Sequence, residues 1–232
     1  MSFDFRLWDI HTGAHHPFND RAPRIENGTG RPDPNRYHGA DYKDAEWNRM
    51  WTQTWLLAGP TSDLRDDGDF VRFDIADESF IVVRQEDGSL KAHYNVCPHR
   101  GSQLILSDFG SIGNFTCPFH SWQFALDGTN TKVTDEFSFH PETLCHDRNL
   151  TSVRCEEVAG LAFISLSNDM PPLREWLGPV ADQLETYDIG AMNVIQHKHT
   201  EWAANWKGGV DAFYEIYHLH AVHPETQGVM DD

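Results

Sequence analysis

Two short stretches, "CPHRG" at Cys97 to Gly101 and "CPFHSW" at Cys117 to Trp122, decide how this chain is read. Each sets a Cys just ahead of a His: one residue lies between Cys97 and His99, two between Cys117 and His120. Zinc, an iron–sulfur cluster and coincidence are the candidate explanations. Structural zinc sites usually pair like with like, Cys–x2–4–Cys and His–x3–5–His, because each hairpin or helix end delivers two similar ligands. Alternating Cys, His, Cys, His suits a cluster with two unlike irons, thiolates on one and imidazoles on the other. The Pro after each Cys stiffens its loop, and Gly101 lets the backbone bend closely.

Around these loops the sequence alternates apolar and polar residues. "DFVRFDIADESFIVVRQEDGSLKAHYNV", from Asp69 to Val96, carries turn signals at Ala76–Ser79 and at Asp87-Gly88, the pattern of antiparallel hairpins. "WQFALDGT" and "LTSVRCEEVAGLAFISL" continue it, with turns at Asp127-Gly128 and Ala159-Gly160. A β domain over residues 41–166 is expected. Before it, residues 1–40 are rich in Pro, Gly, Asn and His and read as an irregular arm, while Trp47 with Met50 or Trp51 marks a short amphipathic helix. After it, at "NDMPPLREWLGPVADQL", the period changes to about 3.6, so a second domain is expected over residues 167–232.

The clearest piece of that second part is "NWKGGVDAFYEIYHLHAVHP", Asn205 to Pro224, which has a helical pattern. On one continuous helix Asp211, Glu215 and His218 share a face, and His223 follows near the Pro224 stop. Two His and a carboxylate with open positions form the facial triad of non-haem Fe(II) oxygenases. A solvated acidic face that happens to carry histidines is the plainer alternative for this segment taken alone.

Both motifs together resemble the Rieske non-haem iron oxygenase α subunits. Cys97-Pro98-His99-Arg100-Gly101 with Cys117-Pro118-Phe119-His120-Ser121-Trp122 looks like the Rieske [2Fe–2S] motif, and Asn205 to His223 is similar to that family's Asn-Trp-Lys … Asp/Glu-x-Tyr-His-x4-His segment. The resemblance implies an α+β chain: an antiparallel β Rieske domain, then the start of a helix-grip-like catalytic domain. It implies that Cys97 and Cys117 bind one iron of the cluster and His99 and His120 the other. It implies that His218 and His223 bind a mononuclear Fe(II), and that Glu215 links this iron to His120 of a neighbouring subunit. Asp211 and Asn205 are expected to support that site, and His220, between the two ligands, to be structural. The family's third iron ligand is an Asp from well downstream; Asp231 and Asp232 fall too soon to match it. The chain is therefore expected to be the amino-terminal portion of a longer α subunit and inactive alone.

The implied activity is hydroxylation of a small organic, possibly aromatic, substrate with dioxygen, as in aromatic hydrocarbon catabolism. Electrons come from NAD(P)H through a reductase or ferredoxin, and the α subunits form a homotrimer, with or without a β subunit. An electron carrier without oxygenase chemistry, and a structural zinc protein, are the competing readings. Composition bounds the rest. With 18 basic against 36 acidic side chains, the formal charge of −18 disfavours nucleic acid and anionic membranes. No apolar run reaches the roughly 20 residues of a membrane helix, no signal peptide is recognisable at the start, and a cytoplasmic location is expected. Cys145 and Cys155 have no His at matching spacing and are read as packing residues.

Overall fold

The computed structural model describes residues 30–144, 146–215 and 218–223. By its contacts the chain divides into residues 48–197 and a second unit of residues 1–47 with 198–232. These contact units are a different division from the three domains expected from the sequence.

In the larger unit, strands β1 (Leu56–Pro60), β2 (Asp69–Ile75), β3 (Glu78–Arg84), β4 (Leu90–Tyr94), β5 (Phe109–Ser111), β9 (Ser152–Val158) and β10 (Leu161–Ser165) form one sheet in the order β1-β10-β9-β4-β3-β2-β5. Every neighbouring pair is antiparallel. The hairpins are those that the turn signals predict: Ile75 pairs with Glu78 across Ala76-Asp77, Val158 with Leu161 across Ala159-Gly160, and Arg84 with Leu90 across the Asp87-Gly88 turn. Between β5 and β9 the chain makes a smaller sheet, β6 (Phe115–Thr116), β7 (Gln123–Phe124) and β8 (Asn130–Lys132), in that order.

Alternation along a strand sends neighbouring side chains to opposite faces, and β3 uses both. Ile81 and Val83 join Phe70, Cys97, Leu104, Phe115, Cys117, Trp122 and Phe124 in one core. Phe80 and Val82 join Leu56, Val71, Ala92 and Ile164 in the other. All four of these β3 residues are fully buried, which is why "FIVV" runs apolar without a break. The first core lies between the large sheet and the β6–β8 sheet, so both cysteines of the opening motifs sit inside it.

Helices α3 (Leu173–Leu177) and α4 (Pro179–Glu185) place Leu173 and Ala181 against Trp55, Val158 and Phe163. The indole of Trp55 donates to Pro171 O at 3.1 Å. The residues with 3.6 periodicity at 173–185 therefore bury their apolar stripe on the sheet.

In the smaller unit α1 (Asn35–His38) precedes α2 (Ala40–Arg49), a helix where one was anticipated near Trp47 but with no buried residue; its last two residues fall in the larger unit. The segment expected as one long helix is instead two: α5 (Trp206–Phe213) and a single turn, α6 (Leu219–Val222). Tyr214 ends α5 with its N–H shared between Val210 O and Asp211 O and its ψ at −2°. Aromatic Phe213 and Tyr214 hold the helix weakly, and Glu215 uses its carboxylate to accept the N–H of His218 at 3.1 Å, at the start of α6. A side chain that satisfies an opening helix turn competes with continuing the previous one. Among the described residues no helix is long and apolar enough to cross a membrane.

Candidate functional site

The two Cys/His loops lie side by side. Cys97 follows β4, Cys117 follows β6, and each thiol is about 1% exposed. The loops share one backbone scheme: Cys97 N–H donates to Ser102 O and Cys117 N–H to Trp122 O, both at 2.8 Å. Gly101 N–H and Ser121 N–H return to Cys97 O and Cys117 O, both at 2.9 Å. That tight return needs a left-handed residue; Gly101 supplies it at φ 72° and Ser121 at φ 58°.

Each loop lifts its His over the same spot. The rings of His99 and His120 are 4.6 Å apart between centroids. His99 stacks on Trp122 at 4.8 Å and 2°, and Phe119 tilts over His120 at 4.0 Å. The Nδ1 atoms of both histidines are buried without a hydrogen-bond partner. Burial costs an unsatisfied ring nitrogen heavily unless something accepts its lone pair. Desolvation, then the neighbouring His120, holds His99 below the usual histidine range, which keeps its ring neutral and that lone pair available. Burial pushes the Cys97 thiol up to about 11. For Cys117 burial acts the same way but is outweighed by the backbone N–H groups of His120 and Phe119, and its pKa is lowered. Backbone N–H groups aimed at sulfur favour a thiolate.

Two cysteine sulfurs, which ionise when they bind a metal, and two imidazoles, converging from two loops, match the donor set of a cluster with one sulfur-bound and one nitrogen-bound iron. The orphaned Nδ1 atoms are the structural sign that the cradle is built for such a group. Among the described residues no three His, Cys, Asp or Glu side chains gather round a single ion position; the donors come as two pairs.

In the smaller unit the rings of His218 and His223 stand 5.7 Å apart at 73°. Glu215 Oε1 lies 2.6 Å from His218 Nδ1. A carboxylate there fixes the proton on Nδ1 and leaves Nε2 as the free donor atom of His218, the usual arrangement behind a metal-binding histidine. Asp211, expected on the same face, accepts instead from the Tyr37 hydroxyl, and that hydrogen bond raises the Tyr37 pKa. Asn205 caps α5, its Oδ1 accepting from Lys207 N at 3.0 Å. Lys207 Nζ ion-pairs with Glu46 of α2, and the Trp206 indole donates to the same carboxylate at 3.1 Å. The Asn-Trp-Lys triplet is thus a helix cap plus a two-point anchor, a role that its spacing alone does not reveal. The side chain of His220, Cys145, and Asp231 and Asp232 lie outside the described residues. Cys155 is half-buried on β9, between β10 and β4, and burial pushes its thiol up to about 12, in keeping with a packing role.

An open groove of about 550 Å³ beside α5 is lined by Trp202, Trp206, Val210, Phe213 and Tyr214 and contains none of the predicted ligands.

Residues 54–139 match the family model for the Rieske [2Fe-2S] domain, and residues 189–232 match that for the ring hydroxylating alpha subunit (catalytic domain). The chain belongs to the Rieske non-haem iron oxygenase α subunits. Among relatives of this Rieske oxygenase chain, the carnitine monooxygenase oxygenase subunit of Escherichia coli K12 is 32% identical over 194 residues, covering 77% of the chain and 48% of the relative. The glycine betaine monooxygenase oxygenase subunit of Pseudomonas aeruginosa is 29% identical over 186 residues, covering 78% and 42%. A crystal structure of the quaternary ammonium Rieske monooxygenase CntA with an inhibitor superposes with a TM-score of 0.76 at 28% identity, covering 85% of this chain and 55% of that one. The chain spans about half the length of the curated relatives that it matches.

Proposed function

We propose that this Rieske oxygenase chain holds a [2Fe–2S] cluster through Cys97 and Cys117 on one iron and His99 and His120 on the other. His218 and His223 hold a mononuclear Fe(II) in the same reading. These groups supply one-electron transfer and the activation of dioxygen. The observation that carries the proposal is the pair of buried, partnerless Nδ1 atoms, 99 and 120, beside two buried thiols.

The chain's own part follows from its side chains. The thiolates at Cys97 and Cys117 are screened from water by Trp122, Leu104 and Phe115. His99 and His120 remain half-exposed, so the imidazole side of the cradle is the side open to an electron partner. Glu215 keeps the His218 proton on Nδ1 and, in this reading, links the mononuclear site to His120 of a neighbouring subunit. In this reading residues 41–166 form the Rieske domain and 167–232 open a helix-grip-like catalytic domain. The natural assembly is a trimer of α subunits served by a cytoplasmic reductase or ferredoxin and NAD(P)H.

The substrate class that the relatives favour is a small quaternary ammonium compound rather than an aromatic hydrocarbon, since both curated relatives above are named for such substrates. The test has two arms. Anaerobically reconstituted protein is expected to carry two irons and two acid-labile sulfides per cluster with a rhombic spectrum on reduction; zinc without sulfide overturns the ligand reading. Joined to the remainder that its relatives possess and supplied with reductase, the protein is expected to oxidise a trimethylammonium carboxylate. Turnover only of aromatic rings overturns the substrate reading and leaves the ligand reading standing.

A further inference from the structure

The first Cys/His loop has no strand ladder at its base. Asn95, two residues before Cys97, takes that place. It is 1% exposed, and its side chain makes every hydrogen bond that a carboxamide can make. Oδ1 accepts from the N–H groups of Leu104 at 3.0 Å and Ile105 at 2.9 Å. Nδ2 donates to Ile105 O at 2.7 Å and to Ser79 Oγ at 3.1 Å. Two backbone donors facing one atom fix which end of the amide is oxygen.

The network does not stop there. Ser79 Oγ donates to Asp74 Oδ1 at 2.6 Å, and Asp74 Oδ2 lies 3.1 Å from Arg72 Nε. The Arg72 guanidinium then returns to the same segment, meeting Asp108 at 2.8 Å and donating to Leu106 O. Arg72 N also donates to Asp108 O at 2.7 Å. Residues 104–108 are therefore braced by a closed polar ring through β2, β3 and the end of β4, with its buried end at Asn95.

We propose that Asn95 is a positioning residue for the cluster: it clasps the two ends of the 97–103 loop and so sets Cys97 and His99 relative to Cys117 and His120. The proposal rests on the ligand assignment above. The loop's own backbone bonds, Cys97 N–H to Ser102 O and Gly101 N–H to Cys97 O, shape it internally; Asn95 ties its two ends to the core, and a fully satisfied buried amide rigidifies what it joins. Removing it takes the partner from the buried N–H of Leu104 and from the part-buried N–H and C=O of Ile105, and a buried group left unpaired costs more than the net worth of the bond itself.

The experiment compares variants of cluster-loaded protein by the rate of iron loss to a chelator and by the g-values and midpoint potential of the cluster. Asn95→Ala is expected to lose iron about five- to tenfold faster, with shifted g-values. Asn95→Asp, which retains both acceptor contacts but cannot donate to Ile105 O, is expected to fall between, about twofold faster. Ile164→Val, in the opposite core, is the control for general loosening and is expected to leave g-values and potential unchanged. Wild-type iron loss and g-values in folded Asn95→Ala overturn the proposal; if that variant does not fold, the same result in Asn95→Asp does so. A wild-type protein without the cluster signature overturns the ligand assignment and this inference together.

Discussion

The two halves of the proposed metal cradle use one loop geometry and two ways of tying its ends. Beyond the backbone bonds that both loops share, the ends of the Cys97 loop are joined by the Asn95 side chain, with its left-handed position occupied by Gly101. The Cys117 loop is shut by the β6–β7 ladder, Phe115 opposite Phe124 and Thr116 opposite Gln123, with Ser121 in the left-handed position. The shared part is what the proposed metal site needs: a buried thiol with backbone N–H groups aimed at it, and a His two or three residues beyond. The unshared part is scaffold, which any adequate set of hydrogen bonds can supply.

Removing a thiol breaks both halves at once. Cys117→Ser is expected to abolish the cluster's visible absorption in purified protein, because a hydroxyl is a poor substitute for thiolate on iron. Retention of the wild-type spectrum would contradict the assignment.

Next in size is the ladder side alone. Phe124 is fully buried under the second loop, and Phe124→Ala is expected to cost about 3–5 kcal/mol of stability, measured by denaturant unfolding. The comparison sharpens at the paired left-handed positions, where opposite signs are expected. Gly101→Ala should destabilise by about 1 kcal/mol and Ser121→Gly should stabilise by a fraction of that, since only glycine adopts φ near +60° without strain. Equal signs would mean that the loops are not conformational equivalents.

The smallest effect is that of pH on the ladder side. His93, fully buried on β4, donates its Nε2–H to Leu126 O at 3.1 Å, lies edge-on to Phe115 and leaves Nδ1 without a partner. Burial lowers its pKa from the ordinary 6.5, with the Leu126 carbonyl and Asp127 acting against burial and Lys91 with it. The folded protein therefore binds fewer protons than the unfolded chain. Stability is expected to be full above pH 6.5 and to decline as the pH falls below it, towards the folded-state value. His93→Phe should flatten that part of the profile; an unchanged slope would assign it to other groups. Gly128 adds a check on the same contact, because a Cβ there would stand 2.7 Å from the His93 ring.

What could be read from the sequence was what is local. The Cys/His spacings, the hairpin turns at Ala76 and Ala159, and the helix near Trp47 each depend on a few adjacent residues. The helix through Asn205 to Pro224 misled because periodicity records which residues would share a face, not whether the helix persists; Tyr214 ends it and Glu215 is spent on capping the next turn. Asn95 gave no signal, since its partners Ser79, Leu104 and Ile105 are brought near only by the fold. Glu46 was equally silent in "DYKDAEWNRMW", looking like any solvated acid of an amphipathic helix.

That last residue has a consequence for how the protein is made. Glu46 waits for Trp206 and Lys207, 160 and 161 residues later in the chain. Synthesis at about 5–20 residues per second separates the making of α2 from that of its partner by roughly 8 to 30 s. Residues 48–197 are all made within that interval and have their own cores to bury. The helix that leads to Glu215 and His218 is thus clamped only after residues 48–197 have had time to fold, which orders the two events by translation rather than by their relative stabilities.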